Sequence, residues 1–255
     1  MPSVSSSLHG AALRLILSNA TKRNPLSSAA LQELEKGLKL TRSPEVRAVV
    51  ISSEGPVFSA GHDLHELKSL SAVQQYELFS RFGKLMVSLR NLEVPVIASV
   101  TGLAAAAGCQ LVAACDMAIA GPQARFSLPG ASVGLFCSAP SVPVVRNINA
   151  KTAAYMLYSA RPIDAQQALA CGLVSHCAES DQQLEKLVTQ LVKDIVDKPR
   201  DVITLGKRFL NDQRAIKAEE DRYELAARIM TDNLQLDNGR EGLEAFVDKR
   251  HPLWK

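Results

Sequence analysis

The sequence predicts an α/β core followed by an all-helical C-terminal region. Aliphatic segments that fit strands alternate with helical patterns through most of the chain, and this alternation is typical of α/β domains. From about residue 180 onward the apolar spacing is almost purely helical. We therefore expect an α/β core over residues 1–195 and a helical region over residues 196–255.

The first elements are predicted from leucine spacing and capping residues. Alternating leucines in residues 11–18 predict a strand, and the residues before them a short tail. Ser27 or Ser28 could cap a helix that runs to about Leu40. Residues 47–52 predict a buried strand, after which residues 53–64 turn into a second strand and a loop.

The remaining elements are predicted from two patterns: continuous apolar runs for strands and apolar residues at helical spacing for helices. A buried strand is predicted at residues 95–102, and further strands at residues 116–121 and 124–130. Helices are predicted at residues 71–92, 104–115, 181–196, 199–210, 214–234 and 239–249.

Composition excludes several classes of protein. The 255 residues carry a net charge of only +3, so neither nucleic acid nor a membrane surface is an expected partner. No apolar stretch is long and unbroken enough for a transmembrane span. The five cysteines are odd in number and form no CxxC, which favours reduced thiols over a disulfide framework. No nucleotide-binding glycine loop or serine-hydrolase motif is present.

Two glycine-containing loops are candidates for chemistry. Residues 58–64 end a predicted strand at Gly61, which could free backbone N–H groups for a ligand, although a tight turn capped by Asp63 would use the same residues. Residues 101–110 join a strand to a helix through small residues. A helix N-terminus there could hold a developing oxyanion, although close helix–strand packing also requires small residues.

A metal site is not expected, although His62, Asp63, His65 and Glu66 crowd one loop. Zinc needs three or four ligands that converge, and neighbouring residues such as His62 and Asp63 should point apart. The remaining histidines are scattered along the chain.

Four segments together resemble the enoyl-CoA hydratase/isomerase (crotonase) superfamily. They are VFSAGHDLHEL (57–67), PVIASVTGLAAAAGCQLVAACDMAIAG (95–121), ARPIDAQQALACGLVSHC (160–177) and EGLEAFVDKRHPLW (241–254). The resemblance runs from about residue 10 to the end. It implies a spiral core of ββα units and a helical C-terminal region that forms trimers or dimers of trimers.

The resemblance implies an acyl-CoA site. The backbone N–H groups of His62 and Ala107 would hold the thioester carbonyl as an oxyanion hole. Ala60 and Leu64 would line the adenine pocket. Phe246 and Lys249 match positions that close over the adenine and phosphates of CoA, in the family often from a neighbouring subunit.

The same resemblance implies no cofactor other than the coenzyme A of the substrate. It also implies self-association as a homotrimer or hexamer, a role in fatty-acid metabolism and a mitochondrial location. A cytoplasmic location stays open.

The two glutamates of the family's hydratases are missing. Gln110 and Gly130 stand at their positions, and neither residue can accept and return a proton at neutral pH. Over residues 94–145 the only charged residues are Asp116 and Arg125. The candidates that remain nearby are Cys137 and Ser138.

Three functions follow from this departure. The chain is expected to bind acyl-CoA as a hydratase/isomerase-type protein with weak or no hydratase activity. Alternatively, it decarboxylates a methylmalonyl-CoA-like thioester, because residues 58–67 are similar to the loop of those relatives, or it binds acyl-CoA without catalysis. The decarboxylases carry a tyrosine where Phe136 and Cys137 stand here. RNA binding has little support, because helix 71–92 carries only three basic residues.

Overall fold

The chain folds as two β-sheets surrounded by helices, and the computed structural model describes residues 2–255. The described strands are β1 (Val4–His9), β2 (Ala12–Leu17), β3 (Ala48–Ser53), β4 (Val96–Val100), β5 (Leu103–Ala105), β6 (Met117–Ala120), β7 (Arg125–Ser127), β8 (Ile163–Asp164) and β9 (His176–Cys177). The α-helices of the same residues are α1 (Ser28–Leu38), α2 (Leu64–Ser69), α3 (Ala72–Asn91), α4 (Ala107–Ala114), α5 (Ser138–Asn147), α6 (Ala150–Ser159), α7 (Ala165–Cys171), α8 (Asp181–Val196), α9 (Arg200–Asp212), α10 (Glu219–Gln235) and α11 (Asp237–Val247).

The larger sheet has six strands in the order β1-β2-β3-β4-β6-β9. Only β1 and β2 pair antiparallel, and every later pair is parallel, with Val49 opposite Val96 and Ile97 opposite Met117. In the smaller sheet, β7 lies between β5 and β8. The strands β4 and β5 are joined by only two residues, so the two sheets meet just before α4.

Both faces of the larger sheet are covered by apolar side chains. Val96 and Val100 of β4 face the main core, whereas Ile97 packs with Leu184 and Val188 of α8 on the other face. Burial on both faces explains why β4 is a continuous apolar run rather than an alternating one. The predicted fold class is thereby confirmed: an α/β core with a helical C-terminal region.

Several element predictions are confirmed, and four are wrong. The helix predicted from residue 104 begins at Ala107, because Leu103–Ala105 form β5. The N-terminal residues form β1 instead of a tail, because Gly10, with φ +59°, reverses the chain into β2. The second strand predicted within residues 53–64 is absent: Ser59 and Gly61 make only isolated bridges there, and the next element is α2. Helix α10 begins at Glu219 rather than residue 214, because Gln213–Ala215 form a 3₁₀ turn.

The C-terminal helices are tied to the core through α9. The Nζ of Lys207 is buried and donates to Leu89 O at 3.0 Å, to Val94 O at 2.9 Å and to Asp116 Oδ2 at 2.6 Å. No helix in the described residues 2–255 is long and apolar enough to cross a membrane. The predicted division between residues 195 and 196 falls at the end of α8 and stays a prediction.

Candidate active site

The two loops singled out in the sequence lie side by side. Ser59 and Ala104 form an isolated parallel bridge, in which Ser59 N donates to Leu103 O at 3.1 Å. Ala105 N in turn donates to Ser59 O at 2.8 Å. These bonds place residues 59–62 against the first turn of α4.

Two glycines allow this close approach. Gly61 has φ +94°, and a Cβ there would lie 3.1 Å from Ala105 O and 3.4 Å from Ala107 N. A Cβ at Gly108 would lie only 2.7 Å from Ser59 O. A larger residue at either position would therefore push the loop away from α4.

The junction before α4 leaves its first N–H groups free. Ala106, with φ 48° and ψ −114°, precedes the helix in a conformation that is rare for alanine. Its own N–H donates to Ser127 O at 2.9 Å, and Gln110 N makes the first helical bond, to Ala106 O. Within residues 2–255, neither Ala107 N nor His62 N donates a hydrogen bond. Two N–H donors next to a helix N-terminus suit a negatively charged oxygen.

Residues 23–26 hold the loop from its other side, which the sequence analysis did not anticipate. The buried Asn24 donates through Nδ2 to Glu54 O at 2.9 Å and to Val57 O at 2.8 Å. Ser59 Oγ donates to Asn24 O at 2.7 Å, and Leu26 N donates to Gly61 O at 2.8 Å. The usable signal is the Asn24-Pro25 pair, a turn sequence in which Asn tolerates a positive φ, here 51°.

The imidazole of His62 is held in one neutral form. Its Nδ1 lies 3.2 Å from Leu26 O, and a carbonyl can only accept, so Nδ1 carries the proton and Nε2 is an acceptor. The ring stands edge-on to Phe82 and Phe79, with centroid distances of 4.9 and 5.3 Å. Burial lowers the pKa of His62, outweighing the opposite effects of the Leu26 carbonyl and Glu66. The same residue thus offers its backbone N–H to the site and its ring to the core.

The acidic residues beside His62 have structural roles. Asp63 caps α2, with Oδ1 accepting from His65 N at 2.9 Å and from Glu66 N at 3.2 Å. The Glu66 carboxylate accepts from Ser28 N, at 3.0 Å to its nearer oxygen. The loop therefore contains both features that the sequence suggested as alternatives: a turn capped by Asp63 and a free backbone N–H, at His62.

Gln110 lies on α4 one turn after Ala107. Its side chain is 2% exposed, and its Oε1 is buried without a hydrogen-bond partner among the described residues. Helical side chains lean toward the helix N-terminus, so this amide is directed toward the turn that carries Ala107 N. A neutral amide there can orient a ligand but cannot act as a general base.

The space beside Gly130, where the resemblance implies the second glutamate, is filled by the chain itself. A Cβ at Gly130 would lie 1.8 Å from Leu135 O and 2.8 Å from Cys137 Sγ. Leu135 N donates to Gly130 O at 2.8 Å, and Gly130 N donates to Cys137 Sγ at 3.3 Å. No side chain fits at residue 130 unless this turn is rebuilt.

The remaining candidates for proton transfer are poor acids and bases. Burial raises the pKa of Cys137, although the Gly130 N–H partly opposes this. Burial also raises the pKa of Cys109, to about 12, so both thiols stay protonated at neutral pH. Ser138 begins α5 and has no general base among its hydrogen-bond partners in residues 2–255.

The four residues expected to contact CoA fall into two groups. Ala60 and Leu64 flank the His62 loop: Ala60 N donates to Arg23 O at 3.0 Å, and the Leu64 side chain is exposed at the start of α2. Phe246 in α11 is 82% exposed, and Lys249 follows the same helix with φ 55°. Helix α11 packs on α9 and α10.

The fold and this paired-loop site define the class of protein. A model of the enoyl-CoA hydratase/isomerase family matches residues 9–255, so the chain belongs to that family and has the crotonase fold.

Individual relatives are similar over nearly the whole chain. The Danio rerio protein named enoyl-CoA hydratase domain-containing protein 3, mitochondrial, is 42% identical over 247 residues, covering 96% of this chain and 85% of the relative. The crystal structure of human enoyl-CoA hydratase domain-containing protein 3 has a TM-score of 0.95 at 40% identity, covering 99% of this chain and all of that one. An enoyl-CoA hydratase from Mycobacterium smegmatis has a TM-score of 0.95 at 37% identity, covering 100% of this chain and 99% of that one.

Proposed function

We propose that this chain binds acyl-CoA thioesters and polarises their carbonyl group, without the carboxylate pair that hydration requires. One observation carries the proposal: the unpaired N–H groups of His62 and Ala107 lie on two segments that Gly61 and Gly108 bring into contact. The thioester oxygen would accept from both groups and share its developing negative charge with the N-terminus of α4.

The chemistry beyond polarisation is limited by the missing acid and base. A positioned general acid or base contributes about 10²–10⁴-fold to the rate. Gln110 supplies neither, and at Gly130 the carbonyl of Leu135 takes the place of a side chain. We therefore expect the protein to hold an enolate-like thioester well and to add water to a double bond poorly.

Decarboxylation is the second candidate, because it needs no base on the protein. In a malonyl-type thioester the bond between Cα and the carboxylate carbon breaks, and its electron pair moves into the enolate as CO₂ leaves. Water can later return a proton to Cα. The oxyanion hole is the one group this step requires.

The wider expectations rest on the relatives. The mitochondrial name of the Danio rerio protein supports a mitochondrial location for this chain. Exposed Phe246 and Lys249 fit the expectation that they reach the CoA of a neighbouring subunit in a trimer or hexamer. Membership of the family supports a role in fatty-acid metabolism.

The experiment that tests the proposal compares binding with turnover. Crotonyl-CoA and a panel of malonyl-type thioesters are titrated by calorimetry, and hydration and CO₂ release are measured on the same preparations. We expect crotonyl-CoA and the malonyl-type thioesters to bind, and we expect negligible hydration of crotonyl-CoA. A panel that releases no CO₂ leaves the non-catalytic acyl-CoA-binding protein as the function.

A matched variant guards against a contaminating hydratase. Ala107→Pro removes one proposed oxyanion donor, so any genuine turnover should fall with it. Robust hydration that survives repurification and disappears in Ala107→Pro would show that Gln110 and Gly130 do not prevent catalysis.

A further inference from the structure

A groove of about 620 Å³ runs along α4 away from the proposed oxyanion hole. It lies between α3, α4, α5 and α9, and its volume is within the range of small-molecule sites. Gln110, Ala113 and Ala114 line it in succession, so it begins one turn from Ala107 and follows the helix to its last residue. From Ala107 to Ala114 the helix spans about 10 Å at 1.5 Å per residue.

The middle of the groove suits an aliphatic chain. Its walls include Met86 of α3, Val142 of α5 and Leu210 of α9. Gly83 of α3 and Gly206 of α9 also line the groove. A Cβ at either glycine would meet no atom of residues 2–255 within 4 Å. The two glycines therefore border open space and are not needed for close packing.

The far part of the groove is strongly basic. Arg90, Arg146 and Arg214 line it, and none of the three pairs with a carboxylate within residues 2–255. The groove's one carboxylate, Asp116, already accepts from Lys207 Nζ at 2.6 Å and from Val96 N at 2.7 Å.

Within residues 2–255, two buried polar atoms of groove residues have no hydrogen-bond partner. They are Gln110 Oε1 at the end near α4's N-terminus and Arg90 Nε in the last turn of α3. The negative end of the α3 dipole favours a cation at position 90, but it does not give the Nε–H an acceptor. A buried donor without an acceptor is costly, and a bound anion would satisfy it.

We propose that this groove receives the acyl chain of a thioester whose far end carries a second carboxylate, which the three arginines bind. The inference rests on the proposed acyl-CoA site, because the chain must enter from the oxyanion hole past Gln110. Arg90 donates from Nε to the carboxylate, and the exposed Arg146 and Arg214 neutralise its charge at the mouth. A chain that ends in a methyl group would leave the three guanidinium groups unpaired.

The test compares thioesters that differ only at the far end. Acetyl-CoA, octanoyl-CoA and octanedioyl-CoA are titrated against the full chain by calorimetry. We expect octanedioyl-CoA to bind about tenfold more tightly than octanoyl-CoA, or better, since a charge-assisted hydrogen bond is worth at least that factor. The gain should fall as salt rises.

Variants assign the gain to the groove. Arg90→Met should abolish the preference for octanedioyl-CoA over octanoyl-CoA, whereas Arg208→Met, at an exposed position of α9 outside the groove, should keep that preference. Arg146→Met gives the same test at an exposed site if Arg90→Met fails to fold. Gly206→Leu should weaken both eight-carbon thioesters at least tenfold and spare acetyl-CoA, which does not reach the groove.

The outcomes separate this inference from the proposed function. If acetyl-CoA does not bind, the acyl-CoA site itself is wrong. If acetyl-CoA binds but octanedioyl-CoA has no advantage over octanoyl-CoA, or keeps its advantage in Arg90→Met, the carboxylate site is overturned. Binding of free octanedioate that depends on Arg90 and is not displaced by octanedioyl-CoA would contradict a thioester ligand.

Discussion

Proline at position 107 removes one of the two proposed oxyanion donors. Ala107 is the first residue of α4, where proline is tolerated because no helical bond uses that N–H. The N–H is buried and unpaired, so it would meet a thioester oxygen without competition from water. Losing one such donor costs about 10²–10³-fold, or about 2.7–4 kcal/mol.

The assay follows acetoacetyl-CoA, whose enolate absorbs in the near ultraviolet and reports directly on oxyanion binding. We expect affinity for the enolate to fall about 10²-fold or more in Ala107→Pro. Ala72→Pro is the matched control, because it places proline at the first residue of α3 after an extended Ser71. Replacing the Ala107 amide by an ester separates loss of the donor from the bulk of the ring. Unchanged affinity in both Ala107 variants would refute the oxyanion assignment.

Three further predictions concern stability. Gly130→Glu should not restore hydration but should lower the free energy of unfolding by about 1–3 kcal/mol in urea titrations, because its Cβ meets Leu135 O; an active, stable variant would contradict this. Because burial lowers the folded-state pKa of His62, the unfolded state binds more protons just below the ordinary value of 6.5. Stability should therefore fall as pH drops below 6.5, and His62→Gln should flatten that slope in thermal melts. Lys207→Met should cost about 3 kcal/mol, because it removes the cation that pairs with Asp116 and the donor to two carbonyls; a loss under 1 kcal/mol would show that α9 is held by other contacts.

Much of the fold follows from local sequence signals. Periodicity located β3, β4 and α3, and Ser71 caps α3 in a capping box with Gln74. The prediction failed where long-range pairing decides the structure. Half of residues 4–9 are serines, and the segment becomes β1 only because β2 lies beside it.

The site was also predicted only in part, because local sequence signals mark its two loops but not the long-range contacts that hold them. The sequence pointed to the loops around Gly61 and Ala107, and the structure shows that they adjoin. Asn24 was not anticipated, because its side-chain hydrogen bonds reach 30 and 33 residues along the chain. That the Leu135 carbonyl occupies the space beside Gly130 likewise depends on a turn whose path periodicity cannot predict.

The carbonyl stretch of a bound thioester tests the central claim most directly. Octanoyl-CoA labelled with ¹³C at the thioester carbonyl is examined by difference infrared spectroscopy, free and bound to the protein. If His62 N and Ala107 N both donate to the oxygen, the stretching frequency should fall on binding, and the shift should shrink in Ala107→Pro. An octanoyl-CoA that binds with an unshifted carbonyl band would contradict the account.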